Sequence, residues 1–185
     1  MNALSGLKKY PGCRFVFLTL TVRNVPIDSL ASRLADMSDA WHRFSMRRDF
    51  KSLGLLGWLR VLEVTRNSDT GTYHPHFHVV LVVPAGCWLP EHSWWLRCWQ
   101  LAARDESIMF VNLRVVDGSK SSIEEVSKYV VKDSDFAGSA WVSEFAQLYK
   151  ALSHVRCFSP AGCWREARRS LGFVDPDKDT LTDDV

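Results

Sequence analysis

The chain has 185 residues, with 23 lysines and arginines against 21 aspartates and glutamates, and a formal net charge of +2. This length fits a single domain whose core is large enough to fold without disulfides or structural metal ions. Hydrophobic residues make up 46% of the chain and aromatic residues 12%, which excludes a mostly disordered protein.

Charge is distributed unevenly along the chain. Residues 172–185 hold five aspartates and one lysine, a local charge of −4, so residues 1–171 carry the remaining +6. An acidic terminus with few apolar residues is typical of a solvated tail. We therefore predict one folded domain over 1–171 and a disordered acidic tail over 172–185. The basic folded part is compatible with a polyanionic partner.

Hydropathy and cysteine content indicate the compartment. No stretch has the roughly 18 apolar residues that span a bilayer, and residues 1–10 lack the apolar run of a signal peptide. We therefore expect a cytoplasmic protein without a membrane partner. The five cysteines include no C-x-x-C pair, which favours reduced thiols over disulfides or a thiolate zinc site. We interpret them as small core residues.

Periodicity predicts the first two elements. Residues 14–22 alternate in polarity and are rich in β-formers, which indicates a strand. From Asp28, which can cap a helix, apolar residues recur at steps of three and four towards Phe50. This pattern predicts an amphipathic helix that covers a sheet. Its apolar stripe consists of Leu30, Leu34, Met37, Trp41 and Phe44.

The middle of the chain is predicted to form a long hairpin. Two extended segments, residues 57–66 and 73–83, flank a polar stretch of turn-forming residues at 67–71. Residues 91–104 then have helical periodicity, and residues 108–116 are typical of another strand. The apolar stripe of this second helix consists of Trp95, Cys98, Trp99 and Ala102.

Two more helices complete the predicted elements, one at 121–132 that begins with S-x-x-E and one at 141–154. The order β-α-β-β-α-β-α-α mixes a hairpin with strand-helix-strand crossovers. This order implies an α+β fold with a mainly antiparallel sheet and helices packed on one face. A ferredoxin-like split β-α-β core fits it best.

The most informative segment is H-P-H-F-H at 74–78. Side chains two residues apart on a strand share a face, so His76 and His78 can bind one divalent ion together. His74 has the same parity, but Pro75 separates it from the other two at the mouth of the strand. We therefore give His74 only a supporting role.

An acidic partner for these histidines is expected on the neighbouring strand. A hairpin symmetric about residues 70 and 71 sets Glu63 directly opposite His78 and Thr65 opposite His76. The resulting set of two histidines and one carboxylate leaves coordination positions open, which suits Mg or Mn holding a substrate phosphate oxygen. A lone histidine, by contrast, more often bonds only backbone or water.

A second group of reactive side chains is predicted on the helix at 121–132. Glu125 and Tyr129 are four residues apart and Tyr129 and Lys132 three, so all three share one face. A phenol becomes a nucleophile when a metal ion polarises the electrophile or a cation such as Lys132 favours the phenolate. Singly, Glu125 also suits a capping box, Tyr129 a core position and Lys132 a solvated helix end.

Three motifs follow one another with conventional spacing, F-L-T-L-T at 17–21, H-P-H-F-H at 74–78 and E-x-x-x-Y-x-x-K at 125–132. Together they resemble the HUH endonuclease superfamily, and more narrowly the rolling-circle plasmid replication initiators with a single catalytic tyrosine. L-E-V-T-R-N at 62–67 and V-R-C-F-S-P-A-G-C-W-R-E at 155–166 are also similar to that plasmid family. The resemblance therefore covers most of the chain, from about residue 14 to residue 166.

The resemblance implies a DNA nicking and joining enzyme with the ferredoxin-like, RRM-like core of HUH endonucleases. His76 and His78 would bind a divalent metal ion, Mg or Mn, with an acidic partner, here Glu63. The implied substrate is single-stranded or hairpin origin DNA, with a host helicase as a further partner. The chain is short for a plasmid initiator, so its origin specificity is left open.

The same resemblance assigns roles to the second group of residues. Tyr129 would attack the scissile phosphate and become linked to the 5′ phosphate, releasing a 3′ hydroxyl that primes replication. Lys132 would lie beside the active centre. Glu125 would activate water for the hydrolysis that terminates replication.

Two basic clusters are candidate DNA contacts, one closing the first helix and one following the last helix. They consist of Arg47, Arg48 and Lys51, and of Arg165, Arg168 and Arg169. An ordinary solvated face is the alternative interpretation of both. The tryptophans at 94, 95 and 99 have helical spacing, and we interpret them as core rather than base-stacking residues.

Other functions remain open from the sequence. A transposase or conjugative relaxase of the same superfamily would share the metal ion and tyrosine, although Glu125 favours an initiator that must hydrolyse its intermediate. A non-catalytic nucleic-acid-binding module of ferredoxin-like fold would use the histidines structurally. A zinc peptidase is disfavoured because its histidines lie four residues apart on a helix.

Overall fold

The structure, a computed structural model, describes residues 10–116 and 141–170. The predicted helix at 121–132 and the predicted tail at 172–185 lie outside these residues. The described elements are β1 (Arg14–Thr21), α1 (Ile27–Met46), α2 (Arg48–Lys51), β2 (Gly57–Arg66), β3 (Tyr73–Val83), α3 (His92–Ala103), β4 (Val111–Val116), α4 (Trp141–Leu152), β5 (Phe158–Gly162) and α5 (Cys163–Ser170).

The five strands form one sheet in the order β4-β1-β3-β2-β5. Every neighbouring pair is antiparallel. The first four strands in chain order thus take the order 4-1-3-2, with α1 crossing between β1 and β2 and α3 between β3 and β4. This arrangement is the split β-α-β pattern, and the predicted α+β fold with an antiparallel sheet is confirmed.

One face of the sheet, here called the helix face, packs against α1, α3 and α4. Alternation along β3 directs Phe77 and Val79 to this side, and both are fully buried. The predicted apolar stripes of α1 and α3 belong to the same core, in which Trp95 and Trp99 have no exposed surface. Trp94 packs partly buried against the same core, so the interpretation of the three tryptophans as core residues is confirmed.

The opposite face, here called the histidine face, carries His74, His76 and His78 at one end and a second, smaller core at the other. That smaller core contains Phe15, Leu59, Val80, Val82 and Cys163. Cys163 begins α5, which therefore packs on this face. The expectation that helices cover one face only is wrong, because the C-terminal segment, where no helix was predicted, folds back over the far end of the sheet.

Strand β5 escaped prediction because its sequence F-S-P-A-G contains the turn-forming residues proline and glycine. It nevertheless pairs with β2, and the two strands meet closely at two glycines. A Cβ atom at Gly57 would lie 2.5 Å from the carbonyl oxygen of Ala161, and one at Gly162 would overlap that of Leu56. Gly162 also has a φ of +57°, so only glycine fits both positions without strain.

Several boundaries differ from the sequence prediction. Helix α1 ends at Met46 rather than Phe50, because Arg47 adopts a non-helical ψ of 140° before the short α2. Its N-cap is Pro26, and Asp28 lies in the first turn. In the described residues, no helix has the length and apolar character needed to cross a membrane.

The cysteines are free thiols, as predicted. Cys98 and Cys163 are buried, and Cys13 and Cys87 are partly buried. Cys157 is exposed, so its interpretation as a core residue is wrong.

Candidate metal centre

The hairpin of β2 and β3 brings the acidic and imidazole side chains onto one face. Glu63 pairs with His76, Val61 with His78 and Thr65 with His74. The prediction that Glu63 lies opposite His78, with Thr65 opposite His76, is therefore wrong by two residues. A shift of two preserves side-chain parity, so Glu63 still lies on the histidine face.

The turn chemistry explains this shift. The side-chain carbonyl of Asn67 accepts hydrogen bonds from the backbone N–H groups of Asp69 and Thr70, at 2.9 and 3.1 Å. The N–H of Asn67 donates to the carbonyl of Thr72 at 2.8 Å. These bonds centre the loop between Asp69 and Thr70, one residue earlier than the sequence prediction. Gly71, with a φ of +65°, completes the turn in a conformation that favours glycine.

The two histidines converge on a single carboxylate oxygen. Oε2 of Glu63 lies 2.8 Å from Nε2 of His76 and 2.6 Å from Nε2 of His78. The side chains are largely buried, with exposed fractions of 14% for Glu63, 11% for His76 and 10% for His78. Within residues 10–116 and 141–170, this is the one group of histidine, cysteine or acidic residues close enough to hold a metal ion together.

The second nitrogen of each imidazole has a partner outside the cluster. Nδ1 of His76 lies 3.2 Å from the backbone carbonyl of His74. A carbonyl can only accept, so Nδ1 of His76 donates to it, and Nε2 is the nitrogen that faces Glu63. Nδ1 of His78 lies 3.3 Å from the hydroxyl of Thr19. Contacts of this kind orient imidazoles that ligate metal ions, so the donor set fits a divalent ion.

The charge state of the cluster also suits a cation. Burial disfavours the ionised carboxyl of Glu63, but the hydrogen bonds from His78 and His76 outweigh it and hold its pKa below the ordinary value. The carboxylate is therefore charged at neutral pH. Burial and the nearby positive charge of His76 lower the pKa of His74, which favours neutral imidazole there.

His74 itself stays outside the cluster. Its ring centroid lies 5.3 Å from that of His76, and the hydrogen bond from His76 goes to the backbone carbonyl of His74 rather than to its imidazole. The backbone carbonyl of His74 orients His76, while the supporting role predicted for the His74 side chain stays a prediction.

Three predicted site residues, Glu125, Tyr129 and Lys132, lie outside the described residues. Their roles stay predictions.

The two basic clusters lie on different sides of the sheet. Arg165, Arg168 and Arg169 belong to α5, on the histidine face. The other cluster, with Arg48 and Lys51 exposed, lies around α2 beyond the helix face. Its Arg47 is bonded to both carboxylate oxygens of Asp49, at 2.9 and 2.8 Å. The structure therefore groups only the α5 arginines with the face that carries the histidines, and the DNA contacts of both clusters stay predictions.

Thr19 is a residue of this centre that the sequence prediction missed. It lies in the F-L-T-L-T motif, and alternation along β1 places Thr19 and Thr21 on one face. Their connection to the histidines depends on the pairing of β1 with β3, which sets Thr19 opposite His78 and Thr21 opposite His76. The F-L-T-L-T motif was the signal that could have pointed to Thr19, but the motif does not show which strand pairs with β1.

The chain is similar in sequence to known proteins over nearly its whole length. The Rep_1 family model of replication proteins matches residues 1–184. A protein named "Protein rep" from Streptococcus pneumoniae is 33% identical over 177 residues, covering 89% of this chain and 54% of that protein. A "Protein rep" from Bacillus amyloliquefaciens is 30% identical, covering 89% of this chain and 56% of that protein.

A "Replication protein" from Staphylococcus aureus is 29% identical and covers 96% of this chain and 83% of that protein. The chain thus spans about half the length of the first two relatives, at 54% and 56%, and most of the third. No solved structure matches. The chain belongs to the replication protein family, which confirms its resemblance to the rolling-circle plasmid initiators of the HUH superfamily.

Proposed function

We propose that residues 1–171 form the catalytic domain of a cytoplasmic replication initiator that nicks and rejoins one DNA strand at a rolling-circle origin. The observation that carries this proposal is the convergence of Glu63, His76 and His78 on one face of the central hairpin. Membership of the replication protein family makes DNA the expected partner. The substrate is single-stranded or hairpin origin DNA, and a host helicase would separate the strands.

The metal-binding part of the proposal rests on the three clustered side chains. His76 and His78 would each ligate Mg or Mn through Nε2, and Glu63 would ligate through a carboxylate oxygen. When bound, the ion polarises a non-bridging oxygen of the scissile phosphate and makes the phosphorus more electrophilic. The partners of Nδ1, the hydroxyl of Thr19 and the carbonyl of His74, keep both imidazoles in orientation.

Tyr129 supplies the nucleophile in this mechanism. Its phenolate oxygen forms a bond to the scissile phosphorus while the bond from phosphorus to the 3′ oxygen breaks, and the 3′ oxygen leaves as a hydroxyl after taking a proton. The 5′ phosphate is then esterified to the tyrosine. Lys132, three residues later on the predicted helix, favours the phenolate. Because one phosphate ester replaces another, a 3′ hydroxyl can reverse the step and rejoin the strand.

Glu125 has a separate role at termination. It would remove a proton from water so that hydroxide attacks the phosphotyrosine and releases the 5′ phosphate. An enzyme limited to strand exchange needs no such base. The two basic clusters would hold phosphates outside the reacting centre.

The covalent intermediate provides the test. Purified protein is incubated with Mn and a labelled single-stranded origin oligonucleotide, and the adduct that survives denaturation is quantified. We expect an adduct with the wild-type chain and with Tyr149→Phe, a matched control whose tyrosine is 68% exposed on α4, but none with Tyr129→Phe. An adduct that persists in Tyr129→Phe contradicts the mechanism.

A second variant separates nicking from termination in the same assay. Glu125→Ala should still nick but accumulate the adduct, whereas Glu124→Ala, its sequence neighbour, should turn over normally. Unchanged turnover in Glu125→Ala would exclude Glu125 as the general base and favour its alternative interpretation as a helix-capping residue.

A further inference from the structure

An exposed phenylalanine lies on the histidine face beside the candidate metal centre. Phe158 of β5 pairs directly with Val61 of β2, and Val61 pairs with His78 of β3. Directly opposed residues share a face, so the three side chains form one row across the sheet. Phe158 is 39% exposed although it is a large apolar residue within a paired strand.

A second exposed phenylalanine lies on the other side of the same centre. Phe110 immediately precedes β4 and is 57% exposed. Its carbonyl accepts a hydrogen bond from the hydroxyl of Thr21 at 3.0 Å, and Thr21 pairs with His76. Val111 pairs with Leu20 and is fully buried in the helix-face core. Phe110, the residue before it, therefore stands opposite Thr21 just beyond the end of β4, and the register of β1 with β4 continued by one residue directs it towards the histidine face.

The spacing of these rings suits a polymer that crosses the sheet. Neighbouring strands lie about 4.8 Å apart, so Phe158 and Phe110 are each two strand spacings, about 10 Å, from the histidine strand. Single exposed apolar residues are common on protein surfaces. Here, however, two aromatic residues flank a cluster suited to holding a phosphate through a metal ion.

Positive charge accompanies the aromatic residues on this face. Helix α5 follows β5 and packs on the histidine face with Cys163 and Ala167 buried. Its Arg165 and Arg169 are exposed, and Nε of Arg165 donates to the carbonyl of Pro160 at 2.9 Å, two residues from Phe158. The phosphates of a bound DNA strand would lie near these arginines, while its bases would lie against the ring of Phe158.

We propose that Phe158 and Phe110 are base-stacking subsites for single-stranded DNA, one on each side of the phosphate held at the metal centre. This inference rests on the proposed function for its occupant. Bases stack on aromatic side chains without sequence preference, because every base presents a π-face. The two phenylalanines thus position the strand and leave the choice of sequence to other contacts.

The test compares two probes that share phosphates but differ in bases. One is a fluorescein-labelled oligothymidylate of about 16 nucleotides, within the site size of a single nucleic-acid-binding fold, and the other is an abasic deoxyribose-phosphate strand of equal length. Fluorescence anisotropy is measured in EDTA, so that no chemistry occurs. We expect Phe158→Ala and Phe110→Ala each to weaken thymidylate binding by about 5- to 150-fold and to leave abasic binding unchanged.

Two controls calibrate this comparison. Phe145→Ala removes a ring that is 54% exposed on α4, away from the histidine face, and should change neither affinity. Arg169→Ala should weaken both probes alike and reduce the salt dependence of binding, as expected for a phosphate contact.

Further substitutions keep the test decisive if Phe158→Ala fails to fold. Phe158→Leu retains apolar bulk and should lose base-dependent binding, whereas Phe158→Tyr retains the ring and should keep it. Equal losses on the two probes, or losses no larger than those of Phe145→Ala, would overturn the inference. If the wild-type chain forms the tyrosine adduct while Phe158 and Phe110 variants bind normally, stacking fails and nicking stands. If Phe158→Ala and Phe110→Ala lose base-dependent binding but the wild-type chain forms no adduct, stacking stands and the nicking mechanism fails.

Discussion

The two faces of the sheet are built on different principles although they share every strand. On the helix face, Phe77 has no exposed surface, and its ring lies 6.3 Å from that of Trp41 and 6.4 Å from that of Trp99. Its neighbours in β3, His76 and His78, point the other way into a hydrogen-bonded polar cluster. Residues that stabilise the core and residues that form the candidate metal centre therefore alternate along one strand. A substitution can be chosen that mainly affects one of the two.

The largest effect is expected from a cavity in the helix face. Phe44 is fully buried, and its ring centroid lies 4.9 Å from that of Phe50 and 6.0 Å from that of Trp99. Phe44→Ala should lower the free energy of unfolding by about 3–5 kcal/mol, measured by urea denaturation, and leave Mn affinity unchanged where the variant is folded. Phe145→Ala, on the exposed side of α4, should change stability by at most about 0.5 kcal/mol. A parallel loss of Mn affinity in Phe44→Ala would show that the faces are coupled.

The converse experiment removes a ligand from the histidine face. His78→Ala should weaken Mn binding by more than about 100-fold, the upper effect of losing an outer contact, as measured by titration calorimetry. Stability without metal should fall by about 1–3 kcal/mol, less than in Phe44→Ala, because the largely buried carboxylate of Glu63 loses one of its two imidazole partners. His42→Ala, at an exposed position of α1, is the matched control and should bind Mn normally. Wild-type Mn affinity in His78→Ala would refute the assigned ligand set.

A smaller effect is expected from the residue that orients this ligand. Thr19→Val removes the hydroxyl that bonds Nδ1 of His78 while keeping the side-chain shape, and should weaken Mn binding by about 10- to 100-fold. Thr21→Val is the control on the same face of β1, because its hydroxyl bonds the carbonyl of Phe110 and not an imidazole. Equal Mn affinities in the two variants would deny Thr19 a role in orienting His78.

The smallest effect is electrostatic and lies beyond the helix face. The hydrogen bond from Arg47 outweighs burial and lowers the pKa of Asp49 below its ordinary value. This pair therefore stabilises the fold above the unfolded pKa of about 3.9, and the contribution is lost as the pH falls through the folded pKa. Because the pair is partly exposed, Asp49→Asn should cost only about 0.2–1 kcal/mol near pH 7 and progressively less in acid.

Urea denaturation across this pH range measures the difference between Asp49→Asn and the wild-type chain. In an Arg47→Ala background, the same substitution should lose its pH dependence. A pH-dependent cost that survives without Arg47 would assign the effect to another partner of Asp49.

The sequence predicted the central hairpin well because two independent patterns agree there. Alternating β-formers and the flanking turn residues gave the ends of β2 and β3 correctly, at Gly57, Arg66, Tyr73 and Val83. The pairing register was missed by two residues because it depends on hydrogen bonds of the Asn67 side chain, which periodicity does not report. Glu63 was still assigned to the correct face, since an even shift preserves parity.

The remaining errors concern contacts between segments distant in sequence. Strand β5 carries a proline and a glycine that signal a turn locally, yet pairing with β2 makes it a strand. The helical periodicity of the first helix continues past Met46, where Arg47 instead bonds Asp49 and interrupts the helix. Thr19 reaches His78 only through the strand order, which is a property of the assembled sheet. Local patterns thus gave the elements, while the outer contacts of the site required the fold.

The paired glycines of β2 and β5 have a consequence for distances on the histidine face. Where Gly57 meets Gly162, backbone lies against backbone with no room for a Cβ atom, so the absence of a side chain at both positions sets the separation of these strands. Phe158 and Arg165 lie on either side of this joint, each within a few residues of Gly162. A methyl group added at either glycine would push β5 away from β2 and change the distance from the ring of Phe158 to the histidines. The distance from Phe158 to the histidines therefore depends on two positions that carry a hydrogen atom in place of a side chain.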